Sequence, residues 1–266
     1  MSMRELEIMK HIKHENIVTF RDCIEKSFLM IFEVDYCDGG DLFTRMTSTG
    51  RMDEREASFV FFQLVDGMQY LHSKNIIHRD IKPENILLKE NKPYPTIKIA
   101  DFGMAKISQF GTTACGTTQY AAPEVILSSL SKPKYTKACD VWSIGIILYI
   151  LLSGTHPFSM DNENLLFKQM KEGVISFKDE LWSIVSNEPK HLIEQMIQVK
   201  PEERMSLEKV LESEWFEKNM IYWPETRKRG SEHLDVPEAK RTIQKTDEFE
   251  SELEKTKQLI VDDNIN

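Results

Sequence analysis

The sequence of 266 residues predicts an α+β fold, with a small N-terminal part made of one helix and two strands ahead of a larger, mostly helical part. Apolar residues recur at helical spacing near the start, and two runs rich in β-branched and aromatic residues follow. Beyond them, the long apolar patterns have the helical period and are separated by strand-length pieces. The 41% hydrophobic composition is sufficient for a sizeable core.

The predicted N-terminal elements follow directly from these patterns. Residues 3–13 place their apolar side chains on one stripe of a short helix. The runs 17–24 and 28–34 carry the residue types of paired strands, and the sequence Asp38-Gly39-Gly40-Asp41 ends the second one. We therefore expect one helix and one antiparallel strand pair in this part.

Helices dominate the rest of the predicted domain. Asp53, with Glu56 three residues later, resembles a capping box at the start of a long helix with one buried face. A central core helix is predicted over 138–152. Three strand-length pieces and three further helices are predicted at 76–77, 86–88, 97–99, 164–171, 190–199 and 206–212.

The apolar periodicity fades after about Glu217. We predict a compact domain over 1–217 and a C-terminal tail over 218–266, partly disordered and with one short amphipathic helix near 247–261. Two basic runs in the tail, 227–229 and 240–241, are either a nuclear import signal or solvated surface charge. The expected location is the nucleus, the cytoplasm or both.

Charge and cysteine content exclude several classes of function. A net charge of -9 argues against general affinity for nucleic acid or for anionic membranes, which require a basic surface. The first residues do not have the basic-then-apolar pattern of a leader, and no apolar run is long enough to span a bilayer. The four cysteines lack the spacing of zinc sites or disulfide frameworks. We expect a soluble protein of a reducing compartment, with neither nucleic acid nor membrane as a partner.

Three motifs carry the chemistry: His78-Arg79-Asp80-Ile81-Lys82-Pro83-Glu84-Asn85, then Asp101-Phe102-Gly103, and then Ala122-Pro123-Glu124. Their order and spacing resemble the signature set of the protein kinase family. The alternative, a capped turn with a buried Asp, does not account for the two later motifs in register. The resemblance covers about residues 3–217 and implies a kinase-like fold, with a complete, mostly helical C-terminal lobe and an incomplete N-terminal lobe.

The resemblance assigns roles in phosphoryl transfer, which depends on groups that orient the attacking hydroxyl and hold metal against the phosphates. It implies that Asp80 accepts or orients the substrate hydroxyl proton and that Lys82 steadies the transferring phosphoryl group. It also implies that Asn85 and Asp101 supply oxygen ligands to Mg²⁺, a hard cation. ATP and Mg²⁺ are therefore the expected cofactors.

Further positions match the nucleotide and substrate sites of the family. Val34 falls at the gatekeeper, Asp35 to Cys37 at the hinge and Leu87 at the adenine floor. Asp41 and Glu84 match acidic positions that contact an Arg upstream of the phosphorylated residue in basophilic kinases. The alternative for these two is a pair of solvated surface acids.

The resemblance also implies regulation by phosphorylation. Lys82 and the pair Gly116-Thr117 look like the Ser/Thr branch, so the expected substrates are Ser and Thr residues of proteins. Arg79 corresponds to a residue that pairs with a phosphate on the activation loop. That phosphate falls on Thr113, and Thr117 is a second regulatory position; an ordinary polar loop is the alternative. Either an activating kinase or autophosphorylation would supply the phosphate.

Several residues match structural roles in the family. Glu124 and Arg204 resemble an ion pair that anchors the activation segment, and Asp140 matches a residue that braces the catalytic loop. Glu5 aligns with a helix glutamate that pairs with a strand lysine. That lysine and the glycine-rich loop would lie upstream of Met1, and no GxGxxG occurs in the chain. We therefore expect a domain without these parts and with weak nucleotide binding.

Two functions follow from these residues. The first is a protein Ser/Thr kinase; the alternative is a catalytically impaired, kinase-like interaction protein, either a pseudokinase or a truncated isoform. The segments 37–43, 89–96, 154–158 and 214–216 look like the calmodulin-dependent-kinase group. Within it, the likeness is greatest to checkpoint-effector kinases that carry a forkhead-associated domain. A role in checkpoint or DNA-damage signalling is implied by that likeness alone.

Overall fold

The computed structural model describes residues 3–26, 29–107, 118–131 and 136–223. The predictions for Thr113, for Thr117 and for the tail from residue 224 onward lie outside these residues. The described part mixes helices with short strands, which confirms the predicted α+β class.

The N-terminal elements are helix α1 (Met3–His11) and strands β1 (Phe20–Lys26) and β2 (Leu29–Val34). The two strands are antiparallel, and their register runs from Phe20 opposite Val34 to Lys26 opposite Leu29. Helix α1 turns its apolar stripe inward, burying Leu6, Ile8, Met9 and, just beyond its end, Ile12. The predicted helix and strand pair are therefore present.

The predicted start of the first strand is wrong by three residues. Residues 16–18 pair with a different strand, since the amide of Ile99 donates to Asn16 O (2.8 Å) and the amide of Val18 donates to Ile99 O (2.9 Å). The Asn16 side chain, which is fully buried, also donates to Gln63 Oε1 at 3.0 Å and Ile97 O at 3.2 Å. Local β propensity could not reveal this long-range pairing.

The remaining described strands form two short antiparallel pairs. Strand β3 (Ile76–Ile77) pairs with β6 (Lys106–Ile107), and β4 (Ile86–Leu88) pairs with β5 (Ile97–Ile99). The helices that follow β2 are α2 Leu42–Thr49, α3 Glu54–Ser73, α4 Pro123–Ser131, α5 Ala138–Ser153, α6 Glu163–Glu172, α7 Asn187–Met196, α8 Leu207–Leu211 and α9 Glu214–Met220. Within the described ranges, three 3₁₀ turns lie at Pro83–Asn85, Glu180–Ile184 and Pro201–Glu203.

Helices α3 and α5 form the centre of the core. Asp53 caps α3 as predicted, because its Oδ1 accepts from the amides of Arg55 (2.9 Å) and Glu56 (3.0 Å). In a capping box the Glu56 side chain would also accept a hydrogen bond from the amide of Asp53. Here the Glu56 carboxylate binds Arg45 on α2 instead. Helix α5 is buried over nearly its whole length, as expected for an apolar helix surrounded by other elements.

The compact unit continues to Trp223, beyond the boundary predicted at residue 217. Trp223 is 2% exposed, its ring centroid lies 5.0 Å from that of Phe62, and its Nε1 donates to Ser58 Oγ at 3.2 Å. A single large aromatic residue extends the core without adding a periodic pattern to the sequence. None of the helices within the described ranges has both the length and the apolar composition that a membrane crossing requires.

Candidate active site

The predicted catalytic loop lies between β3 and β4, and Asp101 follows β5 by two residues. In the β4–β5 pair, Ile86 lies opposite Ile99, and just beyond it the amide of Ala100 donates to Asn85 O at 2.9 Å. The antiparallel register therefore brings Asn85 and Asp101 to the same end of this hairpin. Both predicted metal ligands are held at one place by backbone pairing.

Asp80 is the centre of a polar cluster within the loop. Its Oδ2 lies 2.9 Å from the ammonium of Lys82. The side-chain amide of Asn85 donates to Asp80 O at 2.8 Å and to Asp80 Oδ2 at 3.3 Å. The structure thus brings together the three residues that the sequence predicted as catalytic, with Asp80 only 9% exposed.

Asp140, near the start of α5, braces this loop from below. It is 1% exposed, and its carboxylate accepts from the amides of His78 (3.0 Å) and Arg79 (2.9 Å) and lies 2.8 Å from His72 Nε2. Burial disfavours its charge, but the hydrogen bonds from His72 and from the backbone keep the pKa of Asp140 below its ordinary value. Arg79 adopts a positive φ of 70°, a strained conformation that the two bonds hold in place.

His78 connects the catalytic loop to the Asp101-Phe102-Gly103 motif. The imidazole is fully buried, its Nε2 lies 3.1 Å from Ala100 O, and its ring centroid is 5.2 Å from that of Phe102. A carbonyl oxygen only accepts, so Nε2 carries the proton. Burial lowers the pKa of His78, and a neutral ring is therefore the form that packs here.

Asn85 and Asp101 have the chemistry that Mg²⁺ prefers. Asn85 donates through its nitrogen, which orients its side-chain oxygen as the remaining ligand, and Asp101 Oδ1 accepts from the amide of Gly103 at 3.1 Å. Among the described residues, no three His, Cys, Asp or Glu side chains are grouped closely enough to hold a metal by themselves. A divalent cation at this site would therefore take most of its oxygen ligands from phosphate groups and water, as is usual for Mg²⁺.

Glu5 reaches the same motif from α1. It is 6% exposed, and its Oε2 lies 3.8 Å from the position that a Cβ would occupy on Gly103. At this distance the Glu5 carboxylate and the Gly103 position are in ordinary van der Waals contact, whereas a Cβ on Gly103 would come within 3.0 Å of Asp101 Oδ1. Pairing between Glu5 and a strand lysine stays a prediction.

The predicted adenine site lies where the hinge joins β4. The amide of Gly39 donates to Leu88 O at 3.0 Å, and the amide of Leu88 donates to Gly40 O at 2.8 Å. A Cβ on Gly39 would lie 2.7 Å from backbone atoms of Glu90, so only glycine fits this close approach. These bonds bring the hinge against the strand that carries the half-buried Leu87, the predicted adenine floor.

The other predicted hinge residues have varied environments. Val34 ends β2 and packs partly buried against the core, and Cys37 is half-buried. Burial raises the pKa of the Cys37 thiol, so it is less ionised than an exposed cysteine. Asp35 is mostly buried and forms ion pairs with Arg21 and Lys98.

The two acids predicted to contact a substrate Arg differ in their surroundings. Asp41 caps α2, since its carboxylate accepts from the amide of Thr44 (2.7 Å) and from the Thr44 hydroxyl (2.9 Å). Glu84 is exposed in the 3₁₀ turn of the catalytic loop. Of the two, Glu84 has the more accessible carboxylate, and substrate contact by either remains a prediction.

The predicted ion pair between Glu124 and Arg204 is present. Arg204 Nη1 and Nη2 lie 2.7 and 2.8 Å from the two carboxylate oxygens of Glu124, and the Arg204 side chain is completely buried. This bidentate pair fixes α4, which begins directly after the activation segment, to the loop before α8. Arg79 donates through Nε to Met104 O, while its predicted phosphate partner at Thr113 lies outside the described residues.

Two functional-site residues were missed by sequence reasoning. His72 at the end of α3 supports Asp140, and Lys98 in β5 forms an ion pair with Asp35. A lysine between two apolar strand residues is a recognisable signal, because a buried lysine needs a partner. His72 gave no comparable signal, since a histidine at a helix end is ordinarily explained by the helix dipole.

The protein kinase domain model matches residues 1–216, and the chain therefore belongs to the protein kinase family. Among its relatives, it is 39% identical to "Probable serine/threonine-protein kinase fhkD" of Dictyostelium discoideum, over 80% of this chain and 30% of that protein. It is 37% identical to "Ovarian-specific serine/threonine-protein kinase Lok" of Drosophila melanogaster, over 80% of this chain and 45% of that protein. It is 39% identical to "Serine/threonine-protein kinase H1 homolog" of Danio rerio, over 79% of this chain and 50% of that protein.

The chain spans half or less of the length of these three relatives. Protein kinases in general use ATP with Mg²⁺.

Proposed function

We propose that this protein transfers the γ-phosphoryl group of ATP to Ser and Thr hydroxyls of protein substrates. The observation that carries the proposal is the cluster of Asp80, Lys82 and Asn85, with Asp101 held at the same end of the β4–β5 hairpin. Relatives named as Ser/Thr kinases support the choice of acceptor.

The chemistry assigns each residue of the cluster a task. Asp80 orients the substrate hydroxyl and takes up its proton as the new bond from oxygen to the γ-phosphorus forms and the bond to the β,γ-bridging oxygen breaks, releasing ADP. The ammonium of Lys82 stabilises negative charge on the transferring group. Asn85 and Asp101 would hold Mg²⁺, which supplies charge neutralisation for the phosphates when bound.

We further propose a regulated kinase of the calmodulin-dependent-kinase group, with most likeness to the checkpoint branch. Sequence resemblance supports phosphorylation near Thr113 and Thr117, with Arg79 as the phosphate partner. The exposed carboxylate of Glu84 supports a preference for substrates with an upstream Arg. Action in the nucleus, the cytoplasm or both agrees with the basic runs in the tail.

A kinase assay tests the function on the protein extended by an N-terminal segment with the glycine-rich loop and the strand lysine, the parts expected upstream of Met1. With MgATP and Ser-containing peptides, we expect transfer that Asp80→Asn reduces by about 10²- to 10⁴-fold, because it removes the hydroxyl-orienting carboxylate. Asp101→Ala should abolish the Mg²⁺-dependent transfer, because it removes one of the two proposed metal ligands. Asp179→Asn, which makes the same chemical change at an exposed position, is the control and should leave the rate unchanged.

Two results would contradict this assignment. If Asp80→Asn kept the full rate, the catalytic role would be wrong. If the unaltered protein transferred no phosphate and yet bound protein partners, the alternative of a kinase-like interaction protein would be favoured.

A further inference from the structure

Lys98 occupies an unusual position in β5. Its neighbours Ile97 and Ile99 are completely buried in the core, and Lys98 points to the opposite face with only 9% of its surface exposed. Across the strand pair it lies directly opposite Leu87. Directly opposed residues of an antiparallel pair place their side chains on the same face, so Lys98 lies beside the predicted adenine floor.

The ammonium of Lys98 binds the first residue of the hinge. Its Nζ lies 2.9 Å from Asp35 Oδ2 and donates to Ile17 O at 3.2 Å. The Lys98 and Asp35 side chains are 11% and 16% exposed, which makes this pair much less solvated than a surface salt bridge. Removing only one partner of an ion pair in such surroundings strongly destabilises the folded protein, because the other charge stays buried without a partner.

Hydrogen bonds with Thr19 fix the orientation of Asp35. The amide of Thr19 donates to Asp35 Oδ2 at 3.2 Å, and the amide of Asp35 donates to Thr19 O at 3.1 Å. Burial opposes the charge of Asp35, but the bonds from Lys98 and Thr19 hold the pKa of this carboxyl well below its ordinary value. The carboxylate is thus engaged with protein groups on both of its oxygens.

We propose that Lys98 is a positioning residue for the nucleotide, because its ion pair with Asp35 holds the hinge at a set distance from the strand that leads to Asp101. The hinge contacts the adenine end of ATP, and Asp101 serves the phosphate end, so the pair acts as a strut between the two ends of the ligand. This inference rests on the proposed kinase function for the identity of the nucleotide.

Arg21 offers a matched control on the same carboxylate. Its guanidinium also contacts Asp35, with Nε at 3.3 Å and Nη2 at 3.2 Å from Oδ1, but its side chain is 60% exposed. Arg21 lies on β1, so its contact does not connect the hinge to β5. A change that depends on the strut should therefore appear in Lys98 variants and not in an Arg21 variant.

Steady-state kinetics separates positioning from general stability. For Lys98→Met we expect the KM for ATP to rise about 10- to 100-fold, because the hinge loses the charge-assisted contact that holds its position, with the peptide KM and kcat within about threefold. Lys98→Arg, which keeps a cation, should recover most of the ATP affinity, and Arg21→Gln should stay within about twofold of the unaltered protein. A purely structural residue would lower the melting temperature and leave the ratio of the two KM values unchanged.

Hydrogen exchange without nucleotide tests the strut independently of activity. Lys98→Met should accelerate exchange of the hinge amides of residues 36–41 by about tenfold or more, whereas Arg21→Gln should not. Unchanged hinge exchange in Lys98→Met would overturn the inference even in an active enzyme. If the unaltered protein failed to bind MgATP, the proposed function would fail, and the exchange result would still decide whether the strut exists. Should Lys98→Met not fold, Asp35→Asn tests the same prediction, because it keeps a hydrogen-bond acceptor but removes the charge.

Discussion

The strongest stability prediction concerns the buried ion pair between Arg204 and Glu124. The completely buried guanidinium donates to both carboxylate oxygens, to Ala138 O (2.8 Å), to Gln198 O (2.8 Å) and to Val199 O (3.3 Å). Replacing Arg204 by Met leaves these carbonyls without their donor and leaves a carboxylate that is only 15% exposed without a counter-charge. Breaking one partner of such a pair costs about 3–5 kcal/mol, which is a large part of the stability of an ordinary domain.

Urea denaturation followed by tryptophan emission measures this cost. Arg204→Lys keeps the charge but loses the planar fork, so we expect an intermediate loss of about 2 kcal/mol. The double variant Arg204→Met with Glu124→Leu should be more stable than Arg204→Met alone, since no buried charge is left unpaired. Lys218→Gln, which breaks exposed pairs with Glu188 and Glu214, serves as the control and should be indistinguishable from the unaltered protein. A stability of Arg204→Met equal to that of the control would refute the reasoning.

Three further predictions concern a helix cap, the activation switch and pH. Asp53→Ala should destabilise the protein by about 1 kcal/mol by removing the cap of α3, measured as a lower urea midpoint; no change would show that the cap contributes nothing. Thr113→Ala should be poorly activated, and mass spectrometry that finds no phosphate between Asp101 and Glu124 in active enzyme would contradict this. Burial lowers the pKa of His156 from its ordinary value of 6.5. Below about pH 6.5, His156 therefore binds a proton more readily in the unfolded chain than in the folded protein. Stability should therefore fall as the pH drops below about 6.5, and His156→Gln should make that fall smaller; an unchanged pH profile would count against it.

Much of the site could be predicted from the sequence because its residues are close together along the chain. The loop from His78 to Asn85 carries most of its own geometry, and the contacts from Asp80 to Lys82 and Asn85 span only two and five residues. The helices were predictable for a similar reason, since each apolar stripe records a face that must be buried. The chain itself also determined the family, through three motifs in a set order.

Only the tertiary structure decided the contacts between distant segments. Residues 16–18 have the composition of a strand that continues into β1, yet they pair with β5. The partners of Lys98 and Asp140 lie more than 60 residues away along the chain. A local pattern specifies that a buried charge or a strand edge needs a partner, but which distant group supplies it depends on how the whole core packs.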